Sequence, residues 1–321
     1  MDKKASIIKD QMNEWGKNCK AFVFLIDFEC ESPQLWPLEA INTGFHFNFN
    51  GTSNSWVKTN ILEELYLQKF PENFETYQSK FLKVKEHIMK GDSFLINLTC
   101  ATPIESPQNL ELFYHSIHSK YKCWLENEFV CFSPETFIRI KNQEIYAYPM
   151  KGTINATIPN AKEIILADQK EAAEHATIVD LLRNDLSKVA TEVTVSKYRY
   201  YEEIKTQEKT IGQISSEIKG TLDARYHEKM GDIIFELLPA GSVTGAPKHK
   251  TVEIIRSVEG MKRGYYCGVA GYFDGQNLDS CVLIRFLQEN KIYRSGGGIT
   301  FQSDVKDEYQ EMIDKIYVPV Y

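Results

Sequence analysis

FETYQSKFLKVKEHIMKGDSFLINL, residues 74–98, changes its hydrophobic period halfway along. Phe74, Tyr77, Phe81, Val84 and Ile88 recur at three and four residues, the spacing of one face of an amphipathic helix over 74–90. Gly91 is placed to end that helix, because glycine enters the left-handed C′ conformation without a side-chain penalty. Beyond it Phe94, Ile96 and Leu98 recur every second residue, as in a strand with one covered face.

The same two periods organise the chain on either side. Upstream, KAFVFLIDF (20–28) reads as a buried strand and TGFHFNF (43–49) as a half-buried one. Downstream the pattern predicts a helix near 108–120, short strands across 128–149 and a longer helix over 168–188. Strands at 192–200, 207–213 and 216–222 and a helix over 228–238 lead into the loop PAGSVTGAPK (239–248). A helix over 247–257, strands at 266–273, 280–287 and 291–295, and a helix over 304–316 follow. Strands and helices come in runs rather than in strict βαβ alternation, so an α+β fold with large sheets is expected. No repeat, low-complexity tract or linker divides the 321 residues, so one domain is expected over 1–321.

Bulk chemistry narrows the function. A net charge of −7 argues against nucleic acid as the main ligand, since phosphate binding needs a basic footprint. The N-terminal MDKKASIIKDQMNEWGKNCK is mostly polar, and no apolar run reaches the roughly 18 residues a membrane span requires. Seven cysteines form no C-x-x-C pair, which suits free thiols in a reducing, cytoplasmic setting.

Four features carry candidate chemistry. Glu171 and Glu174 lie three apart on one predicted helix, and Glu308 and Glu311 three apart on another, so each pair shares a helix face. Two such faces across a cleft would offer hard oxygen donors to magnesium. Lys151 follows a strand in YPMKGT and precedes Gly152, whose missing side chain leaves room for a ligand. A lysine attacks only when neutral, so that role needs a pKa well below roughly 10.4. PAGSVTGAPK lacks the Walker pattern, while Gly296-Gly297-Gly298 after a strand reads either as a nest whose N–H groups bind a carboxylate or as a plain turn. Arg285, inside the apolar run VLIRF, reads as a strand arginine that must be paired and whose fork suits a carboxylate.

Together and in order, these features resemble the chorismate-utilising enzymes, which include anthranilate, aminodeoxychorismate, isochorismate and salicylate synthases. The matching blocks are GDSFLINL (91–98), SPETF (133–137), PMKGT (149–153), KEAAEHATIVDLLRND (170–185), PAGSVTGAPK (239–248), RGYYCGVAGYF (263–273), GGGI (296–299) and DEYQEMIDK (307–315). They fall within a catalytic core over 75–321, while residues 1–70 match weakly. The resemblance implies two large, mostly antiparallel sheets packed together and flanked by helices, with the site between them. It implies a magnesium ion held by Glu171, Glu174, Glu308 and Glu311 against the ring carboxylate of chorismate. Arg285, Tyr266, Thr244, Lys315 and the amides around Gly296 and Gly298 would hold the enolpyruvyl carboxylate.

Within the family, PMKGT is similar to the P-I-K-G-T of aminodeoxychorismate synthases, where anthranilate and salicylate synthases have P-I-A-G-T. The resemblance thus makes Lys151 the nucleophile and Glu135 of SPETF the general acid. Gln213, grouped with the substrate contacts, stands where anthranilate synthases carry a histidine. LIDFECES departs from the tryptophan-binding motif of related enzymes, so tryptophan feedback is not expected. No G-x-C-x-G nucleophile elbow appears, so ammonia would come from solution or from a glutamine amidotransferase subunit in trans.

Overall fold

The computed structural model describes residues 2–41, 44–54, 65–205 and 210–318. Position 43 of the second predicted strand and positions 207–209 of a later one lie outside the described residues. In chain order the first elements are α1 (Lys3–Lys17), β1 (Phe22–Ile26), β2 (Gln34–Pro37), β3 (Phe45–Phe49), β4 (Thr52–Ser53) and β5 (Gln68–Lys69). Next come α2 (Phe74–Met89), β6 (Leu95–Glu105), α3 (Leu110–Ser116), β7 (Tyr121–Leu125), β8 (Phe129–Ser133), β9 (Thr136–Lys141), β10 (Glu144–Ala147) and β11 (Met150–Asn155). The chain continues through α4 (Ala161–Ala167), α5 (Gln169–Leu186), β12 (Thr191–Lys205), β13 (Thr210–Thr221), α6 (Met230–Glu236), β14 (Gly245–Ala246) and α7 (Lys248–Glu259). It closes with β15 (Val269–Phe273), β16 (Leu278–Val282), β17 (Phe286–Gln288), β18 (Ile292–Ile299) and α8 (Val305–Asp314).

The strands form two large antiparallel sheets, as expected of an α+β fold. One runs β11-β13-β10-β9-β16-β15-β1-β2 with β12 on β13, and the other β14-β6-β18-β17-β8-β7-β3-β4 with β5 on β6. Alternation decides the inner faces: Phe45, Phe47 and Phe49 of β3 are buried while His46 and Asn48 are not. Phe47 meets Tyr272 of the other sheet with ring centroids 6.4 Å apart. Every residue of β1 is buried, and Trp15 of α1 lies 6.1 Å from the Phe22 ring. The period analysis did not find α1, because only Ala5, Met12 and Gly16 of its fifteen residues are buried. A Cβ on Gly231 would sit 2.1 Å from the Lys9 carbonyl, so glycine lets α1 and α6 pack backbone to backbone.

Three strand expectations need correction. The segments over 192–222 form two long strands, because Ser215 and Ser216 are buried and continue the ladder instead of breaking it. The predicted strand 280–287 is two strands in different sheets, separated by a bend at Leu283–Arg285. Lys151, expected just after a strand, lies within β11, which runs end to end with β10 along β13 and is separated from it at Tyr148-Pro149. Pro149 has no N–H to give, yet its carbonyl still accepts from Ser216 N at 2.9 Å. Among the described residues no helix is long and apolar enough to cross a membrane, and all seven cysteines are free.

A buried ion pair ties several elements together. Arg263 Nε and Nη2 donate to the two Glu259 oxygens at 3.0 and 2.6 Å. Its Nη1 and Nη2 also donate to the carbonyls of Val243 and Asn97, both at 2.7 Å. Glu259 Oε1 in turn accepts from Thr99 N at 2.8 Å and Thr99 Oγ1 at 2.9 Å. Removing one partner strands a charge in the interior, so Arg263→Met is expected to cost about 3–5 kcal/mol in urea unfolding. The double change Arg263→Met/Glu259→Met should lose clearly less than the sum of the single changes; strict additivity would show that the pair is not coupled.

Candidate active site

The chain crosses between the sheets at two neighbouring places. Pro134-Glu135 links β8 to β9, and Leu283–Arg285 links β16 to β17. Main-chain bonds tie the crossovers together: Val282 N donates to the Glu135 carbonyl at 3.2 Å, and Phe132 N to the Arg285 carbonyl at 3.1 Å. Glu135 and Arg285 thereby line one cavity of about 170 Å³. Ser242 Oγ donates to Glu135 Oε1. Burial pushes the Glu135 carboxyl above its ordinary range, against the opposing pull of Ser242, Arg285 and Lys315. A carboxyl displaced in that direction keeps a proton to donate. Arg285 was expected inside a strand but occupies the bend with φ +54°, a conformation rare outside glycine and asparagine. Its guanidinium lies 5.0 Å over the Tyr317 ring, and its Nε is buried without a partner.

Lys151 reaches the cavity through a bulge. The β11–β13 register slips between Met150 and Thr153, so Lys151 and Gly152 are the irregular pair. A bulge re-aims side chains at such a point. Gly152 adopts φ +82°, and a Cβ there would sit 2.9 Å from Glu171 Oε2. Lys151 Nζ pairs with Glu174 Oε2 at 2.7 Å. Burial works to discharge the amine, but Glu174, with Glu311 and Glu171 behind it, more than offsets this and holds the pKa above its ordinary value. Lys151 is therefore an ammonium in this arrangement.

Helix α5 presents Glu171 and Glu174 because Asp168 caps it, accepting from Glu171 N at 3.0 Å. His175 anchors the next position to β13 through Ser216 Oγ at 2.7 Å, and burial, helped by Arg199, lowers its pKa to about 4. Helix α8 presents Glu308 and Glu311 across the site. Gly297 makes room for them, since a Cβ there would meet Glu308 Oε2 at 3.1 Å and Glu311 Oε1 at 3.5 Å.

The four glutamates do not form a finished cluster. Among the described residues no three Asp, Glu, His or Cys side chains are gathered as metal ligands. Like charges resist close approach, and three of the four carboxylates have found another partner: Glu174 holds Lys151, Glu311 holds Lys315 at 2.6 Å, and Glu308 accepts from Ser303 at 2.7 Å. The donor set still fits a hard divalent cation in chemistry. Its atoms are carboxylate oxygens, Glu171 Oε2 is buried without a hydrogen-bond partner, and Gly152 and Gly297 leave the floor open.

The remaining expected contacts divide. Tyr266, Thr244, Gly296, Gly298 and Lys315 all line the cavity. Thr244 Oγ1 is already committed to the Ala240 carbonyl at 2.8 Å, and Lys315 Nζ donates to the Gly296 carbonyl at 3.0 Å. Gly296–Gly298 are not a turn: they lie within β18, paired to Thr99, Leu98 and Asn97 of β6. Gln213 does not reach this cavity. Alternation along β13 puts it with Ser215 and Met150, where Nε2 donates to Ser215 Oγ at 3.1 Å and contacts Met150 Sδ at 2.9 Å. It lines an adjoining cavity with Lys120, Arg139 and Tyr200. Two charged lining residues were missed. Asp185 is buried and paired to Lys248 at 2.7 Å; both lie in the blocks 170–185 and 239–248, where their charges were not read as partners. Arg294, two residues before Gly296, carried only the signal of a charged residue at an inward strand position.

Gly152→Ala would force a side chain into both the left-handed conformation and the Glu171 carboxylate. A loss of about 1–3 kcal/mol in stability is expected by thermal or urea unfolding, and an unchanged midpoint would contradict this account of the bulge.

Comparison with known proteins agrees with the geometry. The model of the chorismate binding enzyme family matches residues 50–320. A Haemophilus influenzae protein named "uncharacterized PabA-like protein" is 47% identical over 315 residues, covering 97% of this chain and 96% of that one. Aminodeoxychorismate synthase component 1 of Bacillus subtilis is 28% identical over 312 residues, covering 85% of this chain and 64% of that protein. The menaquinone-specific isochorismate synthase of Escherichia coli shares the fold, with TM-score 0.72 and 18% identity over 97% of this chain and 80% of that one. With its sheets, its crossovers and this match over most of its length, the chain belongs to the chorismate-binding enzyme family.

Proposed function

We propose that this chain is an aminodeoxychorismate synthase, replacing the C4 hydroxyl of chorismate with an amino group through a covalent adduct on Lys151. The observation that carries this reading is the β11 bulge, which delivers a lysine amine into the same cavity as Glu135, whose pKa burial raises. The similarity to the Bacillus subtilis aminodeoxychorismate synthase component 1 supports it.

The chemistry follows from those two groups. Lys151 Nζ attacks C2 of the ring, both ring double bonds shift by one position, and the C4 hydroxyl leaves as water with the proton of Glu135. Ammonia then adds at C4 and expels Lys151 from C2, restoring the ring diene. Attack needs a neutral amine, so Lys151 must first give up its proton and its contact with Glu174. Magnesium, when held by Glu171, Glu174, Glu308 and Glu311, supplies positive charge for the ring carboxylate. The ammonia is assigned to a glutamine amidotransferase partner in trans, a reading that the name of the Haemophilus relative favours.

With chorismate, magnesium and ammonium the purified chain should form 4-amino-4-deoxychorismate, identified by chromatography and mass spectrometry. Anthranilate or isochorismate as the product would overturn the assignment. Without ammonia, intact-mass analysis should find an adduct that disappears in Lys151→Ala. Glu135→Gln should lower kcat by about 10²–10⁴-fold. Because the Glu135 pKa is raised, its donating form is lost as pH rises through that value, while neutral Lys151, whose pKa is also raised, is gained, so the wild-type kcat at fixed free ammonia should follow a bell-shaped profile that falls at both extremes.

A further inference from the structure

Two buried arginines near the cavity are treated very differently by the fold. Arg263 is satisfied by Glu259 and two carbonyls. Arg294 is 5% exposed, and its Nε has no hydrogen-bond partner. Its contacts are the Met261 sulfur at 3.0 Å from Nη1 and the Tyr266 ring, 5.3 Å beneath the guanidinium. Among the described residues no ion pair to it is found. A guanidinium cannot shed its proton, so an interior one without a counter-charge is costly unless a ligand supplies the charge.

The position of Arg294 indicates which ligand group this would be. Strand alternation puts it on the same face of β18 as Gly296 and Gly298, and it lines the cavity with Arg285 and Tyr266. In the β17–β18 ladder it pairs with Phe286, the immediate neighbour of Arg285. Arg285 likewise has an orphaned Nε and rests on an aromatic ring, that of Tyr317. Two guanidinium groups, each without an ion-paired carboxylate among the described residues, thus line one cavity.

We infer that Arg294 is a second substrate-binding arginine, which with Arg285 grips the side-chain carboxylate of a dicarboxylate substrate and selects such acids over monocarboxylates. The inference rests on the reading that the cavity takes chorismate, and it adds a residue that sets specificity. Two probes separate it from the chemistry: 3-(1-carboxyvinyloxy)benzoate, which carries both carboxylates, and benzoate, which carries only the ring carboxylate.

Isothermal titration of the full chain with magnesium should show Arg294→Gln weakening the dicarboxylate by about 10-fold or more while leaving benzoate unchanged. Arg294→Lys should recover part of the loss. In turnover with chorismate, KM should rise by a similar factor with kcat changed much less. The ligand-free Arg294→Gln protein should melt no lower than wild type, since an uncompensated charge has been removed. Equal weakening of both probes, an unaffected dicarboxylate, a lowered melting point, or a wild-type chain that does not bind the dicarboxylate would each overturn the inference. A chain that binds it with this dependence on Arg294 yet forms no aminated product would refute the proposed reaction alone.

Discussion

The buried pair of Arg263 and Glu259 is the constraint on which the cavity wall depends. It joins the end of α7 to β6 through Thr99 and Asn97 and to the 240–247 loop through Val243. The guanidinium also lies 4.6 Å from the Phe28 ring, so the segment after β1 packs against the same charge. Such a pair adds little net stability relative to a well-packed apolar core, but it permits few alternative arrangements of what it holds. One of the elements it holds carries Ser242, whose hydroxyl donates to Glu135. Another, β6, is the ladder partner of the glycines on β18.

Around that frame lie groups of both charges. Glu174 of α5 and Glu311 of α8 pair with Lys151 and Lys315. Arg285 and Arg294 rest over tyrosine rings rather than on acids. Guanidinium groups without a carboxylate partner suit an anionic ligand. Glu135 lies in the same cavity on the sheet-to-sheet crossover, where burial raises its pKa.

Much of this was legible in the sequence, for physical reasons. Helices α2, α5 and α8 were written in three-and-four periodicity, and that period also put Glu171 with Glu174 and Glu308 with Glu311 on shared faces. The pairing of Glu174 with Lys151 was not legible, since it joins a helix to a strand and forms only in the tertiary structure. Nor was the bulge at Lys151 and Gly152, because register slips are set by the partner strand β13. The apolar run VLIRF pointed to one strand, whereas the exchange between sheets at Arg285 is a tertiary fact. Gln213 was assigned to the site by its position in a motif, but the side of β13 it faces is decided by pairing with β11. Arg294 was overlooked because no local pattern distinguishes a satisfied inward arginine from an orphaned one.

The main-chain ties between the two crossovers carry an evolutionary implication. Val282 N to the Glu135 carbonyl and Phe132 N to the Arg285 carbonyl involve no side chain, so the backbone spacing at these positions survives substitution. Residue 151, by contrast, hangs from an irregular loop of strand whose backbone path rests on its neighbour Gly152. A substitution at residue 151 can therefore change the chemistry of the cavity wall while the main-chain ties keep Glu135 and Arg285 in register.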